Sequence, residues 1–193
     1  MVGNLPNYSK IDILRCFIRL GVGTSRQHLA KELGIGEGTI RTILDILKSE
    51  GLLDSTKKGH FLSTKGIKLQ AEIFKKISAP KILEIDGIYP GYKKIGVQIK
   101  NSKKLAELYR LRDIAVKNGA EGAIILKFEN RLYIPESQDD DNNKYEEIEK
   151  KFNFENGDVL VIGFSGNNKN AETGALSIAV ELSGILQKFI NKF

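Results

Sequence analysis

This chain of 193 residues is poor in several residue types, and each scarcity removes a class of protein. One cysteine, Cys16, cannot close a disulfide within the chain, which excludes a disulfide-stapled scaffold. Two histidines and a lone cysteine supply no zinc-type cluster, so no metal site is expected. No pairing of nucleophile and base is recognisable, so no catalytic residue is named and the protein is expected not to be an enzyme. No apolar run reaches the ~18 residues of a membrane helix, and no membrane partner is expected. The opening residues, MVGNLPNYSKIDILRC, interrupt any apolar core with polar and charged side chains and do not read as a signal peptide. A cytoplasmic location is the expectation. The chain also lacks a Gly-Lys-Ser/Thr phosphate loop and a dinucleotide-type glycine pattern, so no cofactor is expected.

What remains is ordinary globular composition, 41% hydrophobic and 28% charged. Cys16 sits among Ile13, Leu14, Phe17 and Ile18, a helical apolar pattern that predicts a buried thiol. The most informative stretch is residues 24–66, TSRQHLAKELGIGEGTIRTILDILKSEGLLDSTKKGHFLSTKG. Thr24 and Ser25 offer hydroxyls to cap a helix. Leu29, Ala30 and Leu33 give that helix one apolar face, and Gly34 suits its left-handed end. Ile35-Gly36-Glu37 makes a turn. A second helix follows, with Ile40, Ile43, Leu44 and Leu47 facing inward and Thr39, Arg41, Thr42, Asp45 and Lys48 facing outward. Gly51 stops it. Leu52-Leu53, a turn at Lys57-Lys58-Gly59 and Phe61-Leu62 predict a hairpin with a basic tip. Ser63 and Thr64 open a further helix through Ile67, Leu69, Ala71, Ile73 and Phe74.

These residues resemble the winged helix-turn-helix family of transcriptional regulators, over about residues 8–78. The phrases LAKELGIGEGTIRTILDILKSEGLL and KGHFLSTKG are most similar to the N-terminal DNA-binding domain of the central glycolytic genes regulator and related bacterial and archaeal proteins. The resemblance implies a helix placed in the major groove of double-stranded DNA. It leaves open a winged helix used only for protein contacts.

Charge points the same way. Residues 1–79 carry 13 Lys+Arg against 7 Asp+Glu, whereas residues 80–193 carry 17 of each. The whole excess of +6 therefore lies on the helix-turn-helix half, where it would supply the salt-sensitive part of DNA affinity. The helix start places Glu37, Thr39, Arg41 and Thr42 toward base edges, with Arg41 suited to a bidentate contact with guanine. Arg26 and Gln27 open the preceding helix near phosphates. Lys57, Lys58 and His60 in the hairpin are placed to reach the backbone or minor groove, and Lys48 to reach a phosphate or water. Asp45 would repel phosphate and is expected off the interface.

The pattern changes near Ser78-Ala79-Pro80, which divides the chain into residues 1–79, a winged helix-turn-helix domain, and residues 80–193, a domain for effector binding or dimerisation. Beyond the boundary, residues 82–85, 95–99, 122–128, 132–134 and 158–164 read as strands. Residues 103–118 read as an amphipathic helix, and Ala171 to the C-terminus as one long helix. The fold class expected is α+β, a winged helix followed by a small α/β sandwich with a mixed sheet and a central strand at DVLVIGF.

Asp139, Asp141 and Asn143 alternate like calcium ligands, but Lys144 replaces the loop glycine and Lys150 the bidentate glutamate, so a solvated loop is expected. Residues 163–174, GFSGNNKNAETG, run from a buried strand through a small-residue loop into a helix. A helix start of this kind binds anions, and Ser165, Gly166, Asn167, Asn168, Asn170, Glu172 and Thr173 are the candidate contacts for a small-molecule effector. A plain turn is the competing reading. The GDVLVIGF-loop-helix segment resembles an uncharacterised domain that follows a winged helix in a set of archaeal proteins, a resemblance that implies no activity. The apolar residues of the last helix exceed one stripe, which suggests a homodimer, as does the two-fold symmetry of many operators. The alternative is that residues 80–193 form a ligand-binding or catalytic domain with an accessory winged helix.

Overall fold

A computed structural model describes residues 7–21, 23–57, 59–85, 87–102, 105, 107–135 and 145–193. The chain forms two compact units, Met1–Ile73 with Phe189–Phe193, and Phe74–Lys188.

In the first unit, α1 (Lys10–Arg19) opens with a reciprocal capping box, Ser9 accepting from Asp12 N–H and Asp12 from Ser9 N–H. It leads to α2 (Arg26–Leu33), capped by Ser25, whose Oγ accepts from His28 N–H at 3.2 Å. Gly34 ends α2 at φ 65° and ψ 38°, the left-handed conformation that glycine adopts without strain. Ile35 is buried beyond it and α3 (Glu37–Ser49) begins. The hairpin is β1 (Leu53–Thr56) with β2 (Gly59–Leu62), paired antiparallel from Leu53 opposite Leu62 to Thr56 opposite Gly59. Helix α4 (Thr64–Phe74) follows, its first turn capped by Ser63 Oγ. Gly66 in α4 lies so near Leu52 that a Cβ would fall 2.1 Å from the Leu52 carbonyl oxygen. The core gathers Leu14, Phe17, Leu29, Leu33, Ile40, Ile43, Leu44, Leu47, Leu52 and Ile73, all nearly solvent-free. Phe189 returns to this unit and packs its ring 4.9 Å from that of Phe17.

The second unit is built on a five-stranded sheet in the order β3 (Lys81–Ile82), β4 (Lys93–Ile99), β7 (Val159–Ser165), β5 (Gly122–Glu129), β6 (Arg131–Tyr133). Every pairing is antiparallel, so the mixed sheet expected from the sequence is corrected, while the α+β class holds. The reason lies in β7. It enters last, between β4 and β5, and runs against both, so two strands joined through α5 (Leu108–Lys117) are parallel yet never neighbours. Strand β7 is buried on both faces, as its unbroken apolar run requires. One face of the sheet carries α7 (Asn168–Leu182), with α5 packed beside it. The other face holds a cluster of Leu83, Ile85, Ile124, Leu126, Ile148, Phe152, Leu160, Ile162 and Phe164, closed in part by the short α6 (Glu146–Glu149).

Two glycines set the spacing of α7. A Cβ on Gly163 would lie 2.1 Å from Ala171 O, and one on Gly174 would lie 2.5 Å from the Ala120 Cβ. At Gly163 strand β7 and helix α7 touch backbone to backbone, whereas Gly174 seats α7 against Ala115 of α5 and Ala120 just beyond it. The single long C-terminal helix expected from the sequence is broken. Ser183 is extended, at φ −122° and ψ 111°, and α8 (Gly184–Ile190) starts anew beyond it. The apolar surplus that suggested a second copy is largely consumed inside the chain, since residues 171–179 are buried and Leu182, Leu186 and Phe189 are as well. The expected strand at residues 82–85 shortens to Lys81–Ile82, and the helix expected from residue 103 begins at Leu108.

Candidate nucleic-acid interface

The exposed face of α3 follows from its sequence spacing. Ile40, Ile43, Leu44 and Leu47 turn into the core, which leaves Glu37, Gly38, Arg41, Thr42, Asp45 and Lys48 outside. Thr39 is half-buried. Gly36 precedes the helix without a side-chain cap, so the first N–H groups of α3 stay available to an outside acceptor. Thr42 spends its hydroxyl on Gly38 O, 3.3 Å away.

Three elements are fixed around this face. The first is α2, held by the buried Arg15. This side chain is 1% exposed, pairs with Asp12 at 3.0 Å and donates to Leu33 O, at the C-terminal end of α2, at 3.0 Å. It thereby sets the pitch of α2 against α1 from below. The helical pattern around Arg15 marks an inward position, but a cation there is legible as a structural strut only once Leu33 O is seen to face it. The second element is the hairpin, which gains a third short strand: Thr24 N–H donates to His60 O at 3.1 Å and His60 N–H to Thr24 O at 3.2 Å. Nothing in the residues 21–24 announces this bridge, because a single pair of hydrogen bonds has no sequence period. Gly59 makes it possible, for a Cβ there would sit 3.1 Å from the Gly23 backbone. The third is the end of α3, where Lys48 Nζ donates to Ser55 Oγ at 3.2 Å and ties the helix to β1.

His60 marks where these elements meet. Its pKa is lowered from the ordinary 6.5, first by burial and then by the charge of Arg26, against Asp45, with Lys48 adding to the lowering. Arg26 from the start of α2, Asp45 and Lys48 from α3, and His60 from β2 therefore share one electrostatic neighbourhood. Its Nδ1 is buried and makes no hydrogen bond to any described residue. Asp45 is exposed within this basic group. Gln27 and Lys57 are exposed at the starts of α2 and of the hairpin turn. Lys58 lies outside the described residues, as do Asp139, Asp141 and Asn143. His28 is exposed and faces Glu32 at 3.4 Å.

The second unit places the loop at residues 165–173 in a different condition. Asn167 caps α7, accepting from Asn170 N–H at 2.9 Å. Gly166 N–H donates to both oxygens of the Glu121 carboxylate, at 3.2 and 3.3 Å. Glu121 is held below its ordinary pKa first by the Ser165 hydroxyl beside it and then, against partial desolvation, by this N–H. The serine contact falls short of a full hydrogen bond, since Ser165 Oγ is buried without a partner of good geometry. Thr173 spends its hydroxyl on Lys169 O at 2.8 Å, and Glu172 is buried within α7. Gly166, Asn167 and Asn168 stay exposed, with Asn170 half-buried. The loop thus brings its own carboxylate to part of the place an anion would take.

Cys16 is wholly buried, and desolvation pushes its thiol up to about 12 against the opposing charges of Arg19 and Arg15. A thiol so placed is a packing group, not a nucleophile, at neutral pH. Among the described residues no group of three or more His, Cys, Asp and Glu side chains is arranged to hold a metal ion. No helix among them is long and apolar enough to cross a membrane.

Comparison with known proteins follows the division into two units. No curated protein matches the chain. Residues 12–68 match the family described as PH0730-like, N-terminal domain. Residues 90–182 match the family described as a domain of unknown function, DUF4443. Among solved structures, the chain is similar to the hypothetical protein PH0730 from Pyrococcus horikoshii OT3, with 28% identity and a TM-score of 0.78 over 94% of this chain and 99% of that one. The α+β architecture is thus shared with an archaeal protein of nearly the same extent.

Proposed function

We propose that the first unit binds double-stranded DNA in a sequence-specific way and that the protein is a transcriptional regulator acting without catalysis in the cytoplasm. The observation that carries this reading is the exposed polar face of α3, tied through Lys48 to Ser55 of the hairpin, whose pairing partner His60 bridges Thr24 just before α2. The α2-turn-α3 arrangement, the hairpin and the local excess of +6 support it. Arg41 reads a base, Thr39, Thr42 and Glu37 flank it, and Arg26, Gln27, Lys48, Lys57 and Lys58 hold phosphates. Residues 80–193 serve to sense a small ligand or to bring two copies together on a two-fold operator. With the apolar residues of α7 buried inside the chain, the two-fold symmetry of operators is the main support for a homodimer.

The test is fluorescence anisotropy on duplexes selected from a random pool, at several salt concentrations. Affinity should fall linearly in log–log form, with a slope of about 0.9 per phosphate contacted. Arg41→Ala should weaken the selected duplex by about tenfold or more and relax its sequence preference. Lys57→Ala should weaken all duplexes alike and reduce the salt slope by about one. No DNA binding at low salt would overturn the reading.

A further inference from the structure

The second unit contains a cleft of about 420 Å³ at the end of β4. Its rim carries Lys76, Lys100 and Lys188, and no carboxylate lines it among the described residues. The backbone forces two of these cations together. Ile77 bridges Ile99, and Lys100 N–H donates to Lys76 O at 2.8 Å, so Lys76 and Lys100 stand directly opposite each other across an antiparallel pairing. Like charges in that relation repel, a cost that a bound anion would relieve. Neither lysine forms an ion pair within the described protein.

The turn that follows is rigid. Asp158, buried at 2% exposure, accepts from Asn101 N–H at 2.9 Å, from Gln98 Nε2 at 2.6 Å and from Glu155 N–H at 3.0 Å. This knot holds Asn101 in the left-handed region, φ 48°, and delivers Ser102 to the cleft. Ser102 Oγ is buried there and has no hydrogen-bond partner among the described residues. A buried hydroxyl left unpaired costs free energy that a ligand acceptor would recover. The opposite wall is apolar, formed by Leu182 and Ile185 with Ile99.

We propose that this cleft is a binding site for a small organic anion of the phosphomonoester type, its charged oxygens among the three lysines and Ser102 and its apolar body against Leu182 and Ile185. Triple positive charge suits a dianion, and the volume suits a small molecule. The site lies away from the residue 165–173 loop, where Glu121 already occupies the Gly166 N–H. It rests on the second unit being a ligand-binding unit and not on the first unit binding DNA.

Phenyl phosphate is the probe, titrated into the full chain without DNA and followed by amide ¹H–¹⁵N shifts, with inorganic phosphate and sodium chloride at matched ionic strength alongside. Saturable shifts centred on Asn101, Ser102 and Gly184 are expected, tighter for phenyl phosphate than for inorganic phosphate. Lys100→Ala and Lys188→Ala should each weaken binding by about fivefold. Ser102→Ala should weaken it less, and Lys117→Ala, at the exposed end of α5, should leave it unchanged. A circular dichroism melt of each variant establishes that it is folded. The proposal is overturned if no saturable shifts arise at millimolar probe, if sodium chloride reproduces them, if Lys117→Ala weakens them equally, or if only duplex DNA moves these amides. Loss of DNA binding in the separate salt series would leave it standing.

Discussion

Helices α3 and α7 are of similar length, both follow a glycine-containing turn, and they behave in opposite ways. Helix α3 buries a stripe of Ile40, Ile43, Leu44 and Leu47 and leaves a polar face to solvent. Helix α7 is buried nearly all round, from Ala171 to Ala179, between the sheet and α5. Their first turns differ in the same sense. The start of α3 has no side-chain cap, whereas that of α7 is capped by Asn167 and its approach is taken by Glu121. One helix is supported from behind and presented outward, and the other is a spine around which a unit is packed. Surface chemistry is therefore free to vary on α3 and sterically constrained on α7.

Mutations can break this contrast at its strongest point first. Gly163→Ala puts a methyl group against the Ala171 carbonyl, where α7 has no slack, and should cost about 3 kcal/mol of stability in denaturant unfolding. A change below about 0.5 kcal/mol, the level of an ordinary surface substitution, would show that α7 can slide. On α3 the expectation reverses. Asp45→Asn should leave stability within about 0.5 kcal/mol but raise DNA affinity roughly threefold at low salt, because a negative charge leaves the group around His60. Unchanged or weakened binding would place Asp45 away from the DNA.

The smallest effect is one of pH. His60 in the folded chain has a pKa below its ordinary 6.5, chiefly from burial and Arg26. The unfolded chain therefore binds the proton first, and the stability contributed by neutral His60 is present above about pH 6.5 and lost as pH falls through the folded value. DNA phosphates act oppositely, favouring the protonated ring, so affinity should rise as pH falls across the same window. His60→Asn should flatten both slopes. An unaltered affinity profile in this variant would remove His60 from the interface.

Much of the first unit was legible because its elements carry local signals. Ser25, Gly34 and Gly51 punctuate a 3.6-residue apolar period, and each did what its chemistry predicts, as did the strands that pair on either side of the expected hairpin turn. Arg15 was not legible, for its partners Asp12 and Leu33 O are set by helix packing and not by spacing. In the second unit, the strands at 95–99, 122–128 and 158–164 were readable from apolar runs, and β7 was rightly placed in the centre. The sense of its pairing was not, because a continuous apolar strand is equally suited to parallel and antiparallel neighbours. The break at Ser183 was hidden for a similar reason: the helical period runs on through Leu182, Ile185, Leu186 and Phe189, while tertiary packing redirects the chain. Among the candidate ligand contacts, the sequence marked the small residues at 165–168 but not Glu121, forty-five positions away, which meets Gly166 across the fold.

The sequence by itself determined the helix-turn-helix and hairpin, the two-part division of charge, and the face that α3 turns outward, since each rests on neighbours within a few turns of chain. Tertiary structure alone decided that the sheet is antiparallel, that the last helix breaks, that Arg26, Asp45, Lys48 and His60 converge, and that Lys76 and Lys100 stand face to face at a cleft. Local propensity acts over a handful of residues, whereas strand partners and charge neighbours are chosen by the burial of surfaces that are distant along the chain.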